Sequence, residues 1–388
     1  MAEVARVKAA RWATVQRFAV TAYLNAAAWM LPLFDASPLV ASDLSTSLTL
    51  RWDAFYFASI VRRKYVYEQH WAFFQGVPFI ARLLSRLFKR DVLFVASAVS
   101  FLCNPILHLY DLTFEITGSV SVSKLVAALS LLPSSPATFI YAPYSEPFFT
   151  MLSYTGMLAC AQGRYQAASL AFTLTTVFRS NGVLLGGFIL WDLVVEPLFV
   201  TRQLSALKSR RILLAVLLSL APVAPLVLHE RNAYMRFCGR PDSPVWCSAT
   251  IPSIYSHIQG KYWDNGFLRY WTPSQLPNFL IAAPVYMLLL SGCFVHLRDR
   301  VQGATKDNFF RSRRLTPHAL HAAFLTLSLL FAGNVQIMLR LAASMPFVYW
   351  SAAWLWLEHP KWAKLWVGWS ACWGALSVLL WAAFLPPA

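Results

Sequence analysis

Three stretches of this chain, Ile212 to Leu228, Phe279 to Val295 and Leu365 to Leu385, run without one charged residue. Each comes close to, or exceeds, the ~18–20 apolar residues needed to cross the hydrocarbon core of a bilayer. In a soluble domain such segments must be covered on all sides, and this chain lacks the polar surface to do it. Of its 388 residues, 58% are apolar and 13% are charged. Lipid is the alternative solvent, and a helix satisfies its backbone there within one segment. Trp (16) and Tyr (15) are abundant, as interfacial belts require.

The same pattern recurs more weakly along the chain. It predicts about eleven transmembrane helices, near 17–34, 91–110, 124–141, 147–162, 166–179, 183–200, 211–229, 276–296, 318–333, 345–358 and 365–385. The expected fold class is an all-α polytopic membrane protein, with residues 1–388 as a single membrane-embedded domain. The shorter spans are expected to be tilted, broken or re-entrant. The basic stretch with Arg6, Lys8, Arg11 and Arg17 leads into an apolar run too long for a cleaved signal, so it reads as a first helix that stays.

Formal net charge is +16, but the basic residues sit in short runs between apolar spans. That placement sets topology and contacts anionic headgroups, and it argues against nucleic acid. The N-terminal tail is basic. So are the loops near 201–211 (Arg202, Lys208, Arg210, Arg211), 297–317 (Arg298, Arg300, Lys306, Arg311, Arg313, Arg314) and 359–364 (Lys361, Lys364). With eleven spans all of these fall on one side, which the positive-inside rule makes the cytosol. The far side receives a first loop from about 35 to 90, a second from about 230 to 275, and short turns at Tyr144-Ser145-Glu146, Arg179 to Gly182 and Asn334 to Ser344. The first loop is basic against the rule, although long loops follow it weakly. Its segment Phe79 to Phe88 has the apolar spacing of an amphipathic helix lying in the interface.

Of six cysteines, Cys103, Cys160, Cys293 and Cys372 lie in apolar spans. Cys238 and Cys247 share one polar far-side loop and are the pair expected to bridge in an oxidising compartment. No Walker loop, HExxH, GxSxG or Cys/His metal spacing occurs.

Far-side polar residues are the chemical candidates. Arg51-Trp52-Asp53 places a carboxylate among aromatics, where it can act as a general base or simply cap the following helix. Glu68 stands in an aromatic run from Tyr65 to Phe74 that also suits an interfacial belt. Glu146 precedes Pro147 and can cap a helix or position a hydroxyl. Arg179 and Asn181 lie at a helix end, where an arginine binds a phosphate or snorkels to headgroups. Tyr255, His257, Gln259, Lys261, Tyr262, Trp263, Asp264, Asn265, Arg269, Tyr270 and Trp271 form a loop rich in aromatics, amides and cations, which suits recognition of a sugar-phosphate-lipid or an interfacial belt with headgroup contacts. Gln336 and Arg340 follow Asn334 at spacings that break a single helical stripe.

Taken in order, these motifs resemble the GPI mannosyltransferase 2 family (PIG-V). The resemblance rests on Arg51-Trp52-Asp53, Tyr67-Glu68 with Ala72-Phe73-Phe74-x-Gly76-x-Pro78, Tyr144-Ser145-Glu146, Arg179-Ser180-Asn181-Gly182, Phe237-Cys238-Gly239 and Trp246-Cys247. Its most specific stretch runs from Ile254-Tyr255 through Tyr262-Trp263 and Gly266 to Trp271, followed by Pro277-Asn278-Phe279-Leu280. Val335-Gln336 with Arg340 and Tyr349-Trp350 extend it, so that it covers residues from about 12 to about 355. The family often has His where this chain has Asn334, so that position is given no catalytic role.

The resemblance implies a GT-C fold in the endoplasmic reticulum, with a cytosolic N-terminus and the far side as lumen. It implies transfer of the second, α1,6-linked mannose from dolichyl-phosphate-mannose to the mannosyl-glucosaminyl-phosphatidylinositol precursor. No cofactor is expected, and a metal is not demanded, because cationic side chains are available to the leaving phosphate. Expected partners are the lipid-linked donor, the glycolipid acceptor, membrane lipids and a small membrane accessory subunit. Asp53 is then the base of an inverting step, with Trp52 and Glu146 beside it. Arg340 with Arg179, Lys261 or Arg269 faces the leaving phosphate, while Arg51, Glu68, Asn181, Gln259, Tyr262, Trp263 and Gln336 bind substrate. The rival reading is a multi-span transporter or lipid scramblase. It calls for repeat symmetry and mid-membrane ionisable residues, and the sequence offers neither.

Overall fold

The computed structural model describes residues 2–35, 48–202, 208–302 and 308–386. Residues 36–47 of the first far-side loop and Lys306 of a basic loop lie outside the described residues. The described residues form helices and turns with no strand. Six helical stretches among them are long and apolar enough to cross a membrane: Val92–Thr117, Ser180–Val200, Ser209–Phe237, Pro273–Val301, Arg313–Ala332 and Pro360–Ala382. The protein is thus an all-helical, polytopic membrane protein.

The other five expected spans are helical but differ in form. Span 17–34 is the end of a long helix, Ala2–Met30. Span 124–141 divides into a short helix, Val120–Leu129, and a separate turn, Ala137–Tyr141. Spans 147–162, 166–179 and 345–358 become helices Glu146–Ala161, Tyr165–Thr176 and Pro346–Glu358. Their shortness follows from where they sit. Pro346 to Ala353 is a continuous buried run, and most of Glu146–Ala161 is buried. A helix enclosed by protein need not match the bilayer's thickness, and irregular backbone is tolerated beside it.

Breaks are held by specific donors. The helix Val92–Leu102 starts at Asp91, whose Oδ1 accepts from the backbone N–H of Leu93 (2.9 Å) and Phe94 (3.0 Å). It stops before Asn104-Pro105. There Arg17, buried in the first helix, donates to the carbonyls of Ser100, Phe101 (2.7 Å) and Cys103 (2.5 Å). The guanidinium supplies the partners that orphan C-terminal carbonyls lack.

One continuous apolar core runs from Leu24 to Ala382 and includes the helix Glu146–Ala161. The last helix closes over the first far-side loop: Trp381 Nε1 donates to the Leu48 carbonyl (3.1 Å), and the Arg51 guanidinium to the Ala382 carbonyl (3.4 Å). The expected amphipathic helix is present at Gly76–Phe88. It buries Val77 and Ala81 and exposes Phe79, Leu83 and Leu87. A satellite core of Trp71, Ala233, Trp246, Ile254 and Ile258 lies under the second loop. The Cys238–Cys247 disulfide, with Cα atoms 5.6 Å apart, clips this loop together.

Candidate active site

Asp53 is the first residue of the helix Asp53–Arg63. The residue before it, Trp52, has φ 49°, a left-handed conformation that a bulky residue adopts only under tertiary constraint. Two contacts provide that constraint. The Trp52 ring stacks on Phe384 at 5.1 Å. The buried Tyr144 hydroxyl accepts from the Asp53 N–H (2.9 Å) and donates to the Arg51 carbonyl (3.1 Å). The chain is thereby turned so that the Asp53 carboxylate enters a cleft instead of capping its own helix.

That carboxylate accepts from Arg340 Nη2 at 2.8 Å through Oδ2. Arg340 lies in the short helix Ile337–Leu341. Its Nε donates to Glu146 Oε1 (2.8 Å), and its Nη2 is 2.5 Å from the same oxygen. Arg179 Nη1 donates to Glu146 Oε1 as well (2.8 Å). Ser145 Oγ approaches Glu146 Oε2 at 3.3 Å. Two carboxylates and two guanidiniums therefore balance in charge around Glu146, whose side chain is only 4% exposed. The Arg340 plane lies 4.9 Å from the Tyr144 ring centre, which fixes its orientation.

The cluster forms one wall of a cleft of about 560 Å³. Asp53, Arg179, Asn181, Gln259, Trp263 and Arg340 line it, together with Phe57, Phe73, Phe178 and Tyr255. Aromatic faces beside carboxylate, amide and guanidinium groups suit a sugar phosphate. Asn181, Asn265 and Asn334 line the cleft, and each has a buried side-chain amide atom without a partner among the described residues. Buried amide atoms of this kind are normally completed by an ordered water or a ligand. Gly182 follows Asn181 where the backbone of Thr176 crosses: a Cβ there would lie 2.7 Å from the Thr176 nitrogen.

Other expected site residues lie elsewhere. Glu146 sits behind the cleft wall and acts through the two arginines. Arg51 is buried against backbone carbonyls and Phe384 and does not line the cleft. Trp52 does not line it either. Glu68, Lys261 and Tyr262 form their own group: Glu68 Oε2 accepts from Lys261 Nζ (2.9 Å) and from the Tyr262 hydroxyl (3.3 Å). Burial pushes the Glu68 carboxyl up, but the Lys261 hydrogen bond and charge, with His257, outweigh it and hold it below the usual carboxylate range. Lys261 is thus neutralised outside the cleft. Arg269 pairs with exposed Asp264 (3.3 Å). Gln336 Oε1 accepts from the Tyr270 hydroxyl (2.6 Å) and braces the loop behind the site. Of the four cations expected at the leaving phosphate, Arg179 and Arg340 line the cleft and Lys261 and Arg269 do not.

Sequence reasoning placed Tyr255 and Asn265 in the polar recognition loop and Tyr144 and Ser180 in candidate turns, but gave none of them, nor Asn334, a role of its own. Ser180 donates to the Tyr255 hydroxyl at 2.8 Å and links two walls of the cleft. Among the described residues, no group of three or more His, Cys, Asp or Glu side chains is placed to hold a metal ion.

A polytopic helical protein with this cleft belongs among membrane-embedded glycosyltransferases, and comparison with known sequences gives the family. The chain belongs to the mannosyltransferase (PIG-V) family, whose profile matches residues 13–388. It is 34% identical over 376 residues to a GPI mannosyltransferase 2 of Gibberella zeae, covering 89% of this chain and 87% of that one. A Yarrowia lipolytica protein of the same description is 31% identical, with 95% and 97% covered. The mouse GPI alpha-1,6-mannosyltransferase 2 is 30% identical, with 78% and 72% covered.

Proposed function

We propose that this chain is a GPI mannosyltransferase that adds the second, α1,6-linked mannose to the mannosyl-glucosaminyl-phosphatidylinositol precursor, drawing on dolichyl-phosphate-mannose. Family membership and the names of its relatives support mannosyl transfer to a GPI precursor and disfavour a transporter. The endoplasmic reticulum membrane is the matching location, with the cleft on the lumenal side, the N-terminus in the cytosol and a GT-C architecture of about eleven passes.

The observation that carries the mechanism is the Asp53–Arg340–Glu146–Arg179 cluster at the cleft wall. Asp53 Oδ2 is held by Arg340, and Oδ1 has no hydrogen-bonded partner among the described residues. Oδ1 accepts the proton of the acceptor hydroxyl as that oxygen forms its bond to the anomeric carbon. The bond from that carbon to the phosphate oxygen breaks on the opposite face, so a β-linked donor gives an α-linked product. Positive charge develops on the sugar and negative charge on the departing dolichyl phosphate. Arg179 and Nη1 of Arg340, which has no hydrogen-bonded partner among the described residues, stabilise the phosphate. Glu146 is a positioning residue that holds both guanidiniums. Asn181, Asn265, Asn334 and Gln259 meet the sugar hydroxyls, and Trp263 offers a face to the ring.

Complementation tests the reading. Cells lacking the second GPI mannose should regain surface GPI-anchored proteins when given this chain, and the precursor with one mannose should disappear. Persistence of that precursor at normal expression would reject the assignment.

A further inference from the structure

A second polar cavity, of about 310 Å³, lies at the opposite end of the bundle. The helix Glu146–Ala161 begins at the catalytic cluster and ends at this cavity, so its 16 residues set a separation of about 24 Å. The helix Thr316–Ala332 spans the same two sites in the reverse direction. The mechanism above uses none of the groups in this cavity.

Asp192 and Glu196 stand four residues apart in the π-wound segment Trp191–Val200, within the membrane-crossing stretch Ser180–Val200 and against the expectation of no ionisable residue inside a span, and both line the cavity. Neither carboxylate has a hydrogen-bonded or ion-paired partner among the described residues. The basic side chain in the wall, Arg314, is engaged elsewhere. It donates to the Glu115 carbonyl, to Glu115 Oε1 (3.2 Å) and to the Ala161 carbonyl (2.6 Å). A second observation is independent of the acids. His318, 5% exposed, lines the same cavity, and its Nδ1 is buried without a partner among the described residues. Two carboxylates without an ion-paired partner and an imidazole nitrogen without a hydrogen-bonded one, among the described residues of a membrane protein, call for a hydrogen-bonding cation. Asp192, Glu196 and His318 share the cavity without the close three-ligand grouping that a metal ion needs, so the cation they fit is one held by hydrogen bonds at longer range, an ammonium. The segment's flanks, Leu190 and Phe199, are exposed apolar residues facing where lipid lies, so the cation is within reach from the leaflet. The basic residues Lys208, Arg210 and Arg211 follow it in sequence, and phosphate is their natural counter-ion.

We propose that this cavity binds the primary ammonium of an ethanolamine phospholipid headgroup, held by Asp192 and Glu196 with His318 completing the hydrogen bonding. A quaternary choline headgroup lacks the N–H donors these acceptors require and is bulkier. The chain is taken from vesicles containing equal amounts of phosphatidylethanolamine and phosphatidylcholine with identical acyl chains, and retained lipid is counted by native mass spectrometry. One ethanolamine lipid should be retained over choline lipid by at least about tenfold, the discrimination expected when charge-assisted hydrogen bonds are lost. The double variant Asp192→Asn, Glu196→Gln should reduce that ratio to near unity. Equal retention of both lipids by the unaltered protein would overturn the proposal, a result that does not depend on a variant folding. So would an undiminished preference in the double variant. Displacement of the preference by free ethanolamine at low concentration would overturn the lipid source and leave a site for soluble amines.

Discussion

Replacing Glu146 by Gln should disable the enzyme without touching a group that meets substrate. The Glu146 carboxylate accepts from Arg340 Nε and Arg179 Nη1, both at 2.8 Å, and its side chain is 4% exposed. The present balance of two acids against two guanidiniums becomes an excess of one positive charge. Removing one partner from a buried pair costs about 3–5 kcal/mol, because the remaining charge loses its compensation. Gln keeps one carbonyl acceptor, so the lower end, about 3 kcal/mol, applies. Arg340 then turns its fork onto Asp53 alone and occupies the oxygen that should receive the proton. If that energy falls on the transition state, turnover drops by about 10²-fold. The assay is mannosyl transfer by purified protein at matched concentration of folded enzyme, alongside thermal unfolding in the same detergent. Glu146→Asp, one methylene shorter, should fall between Gln and the unaltered chain. A Gln variant with unchanged turnover and unchanged unfolding would refute the view that Glu146 holds the two arginines.

Other expectations follow from the same geometry. Arg340→Lys should recover little of the activity lost in Arg340→Ala, because one ammonium cannot replace Nε on Glu146 and Nη2 on Asp53 together; full activity in the Lys variant would reduce Arg340 to a point charge. Opening the Cys238–Cys247 bridge with paired serines should loosen the second loop by about 2–3 kcal/mol, seen as faster proteolysis there, while the six long apolar helices stay protected. Gly76→Ala should destabilise the cleft wall by about 1–3 kcal/mol, since the new Cβ would lie 2.5 Å from the Phe178 ring; a variant with normal thermal unfolding and KM would contradict that contact.

The sequence made the all-helical membrane class plain, because long uncharged runs have one physical solution. Span boundaries were less legible. Glu146–Ala161 and Pro346–Glu358 are buried in protein, so hydropathy gives their character but not a bilayer-matched length. Asp53, Arg179 and Arg340 could be picked out as charges at helix ends next to aromatics. Their convergence could not, since positions 53, 146, 179 and 340 meet only through tertiary packing. Lys261 and Arg269 look alike in sequence to Arg179, yet each is paired with a distant or exposed acid that the linear order does not reveal. Asn265 is one amide among many polar residues of its loop, and Asn334 departs from the residue the resemblance leads one to expect, so neither stands out until burial leaves an amide atom without a partner among the described residues.

The most direct test of the central claim uses purified chain in vesicles with dolichyl-phosphate-mannose and mannosyl-glucosaminyl-phosphatidylinositol. The unaltered protein should form a dimannosyl product that an α1,6-specific mannosidase trims. Asp53→Asn keeps the shape and a hydrogen-bond acceptor for Arg340 but cannot take the proton, and should lose turnover by at least about 10²-fold with insertion intact. Near-normal turnover in the Asn variant would remove Asp53 from the base role, and a product resistant to that mannosidase would contradict the assigned linkage.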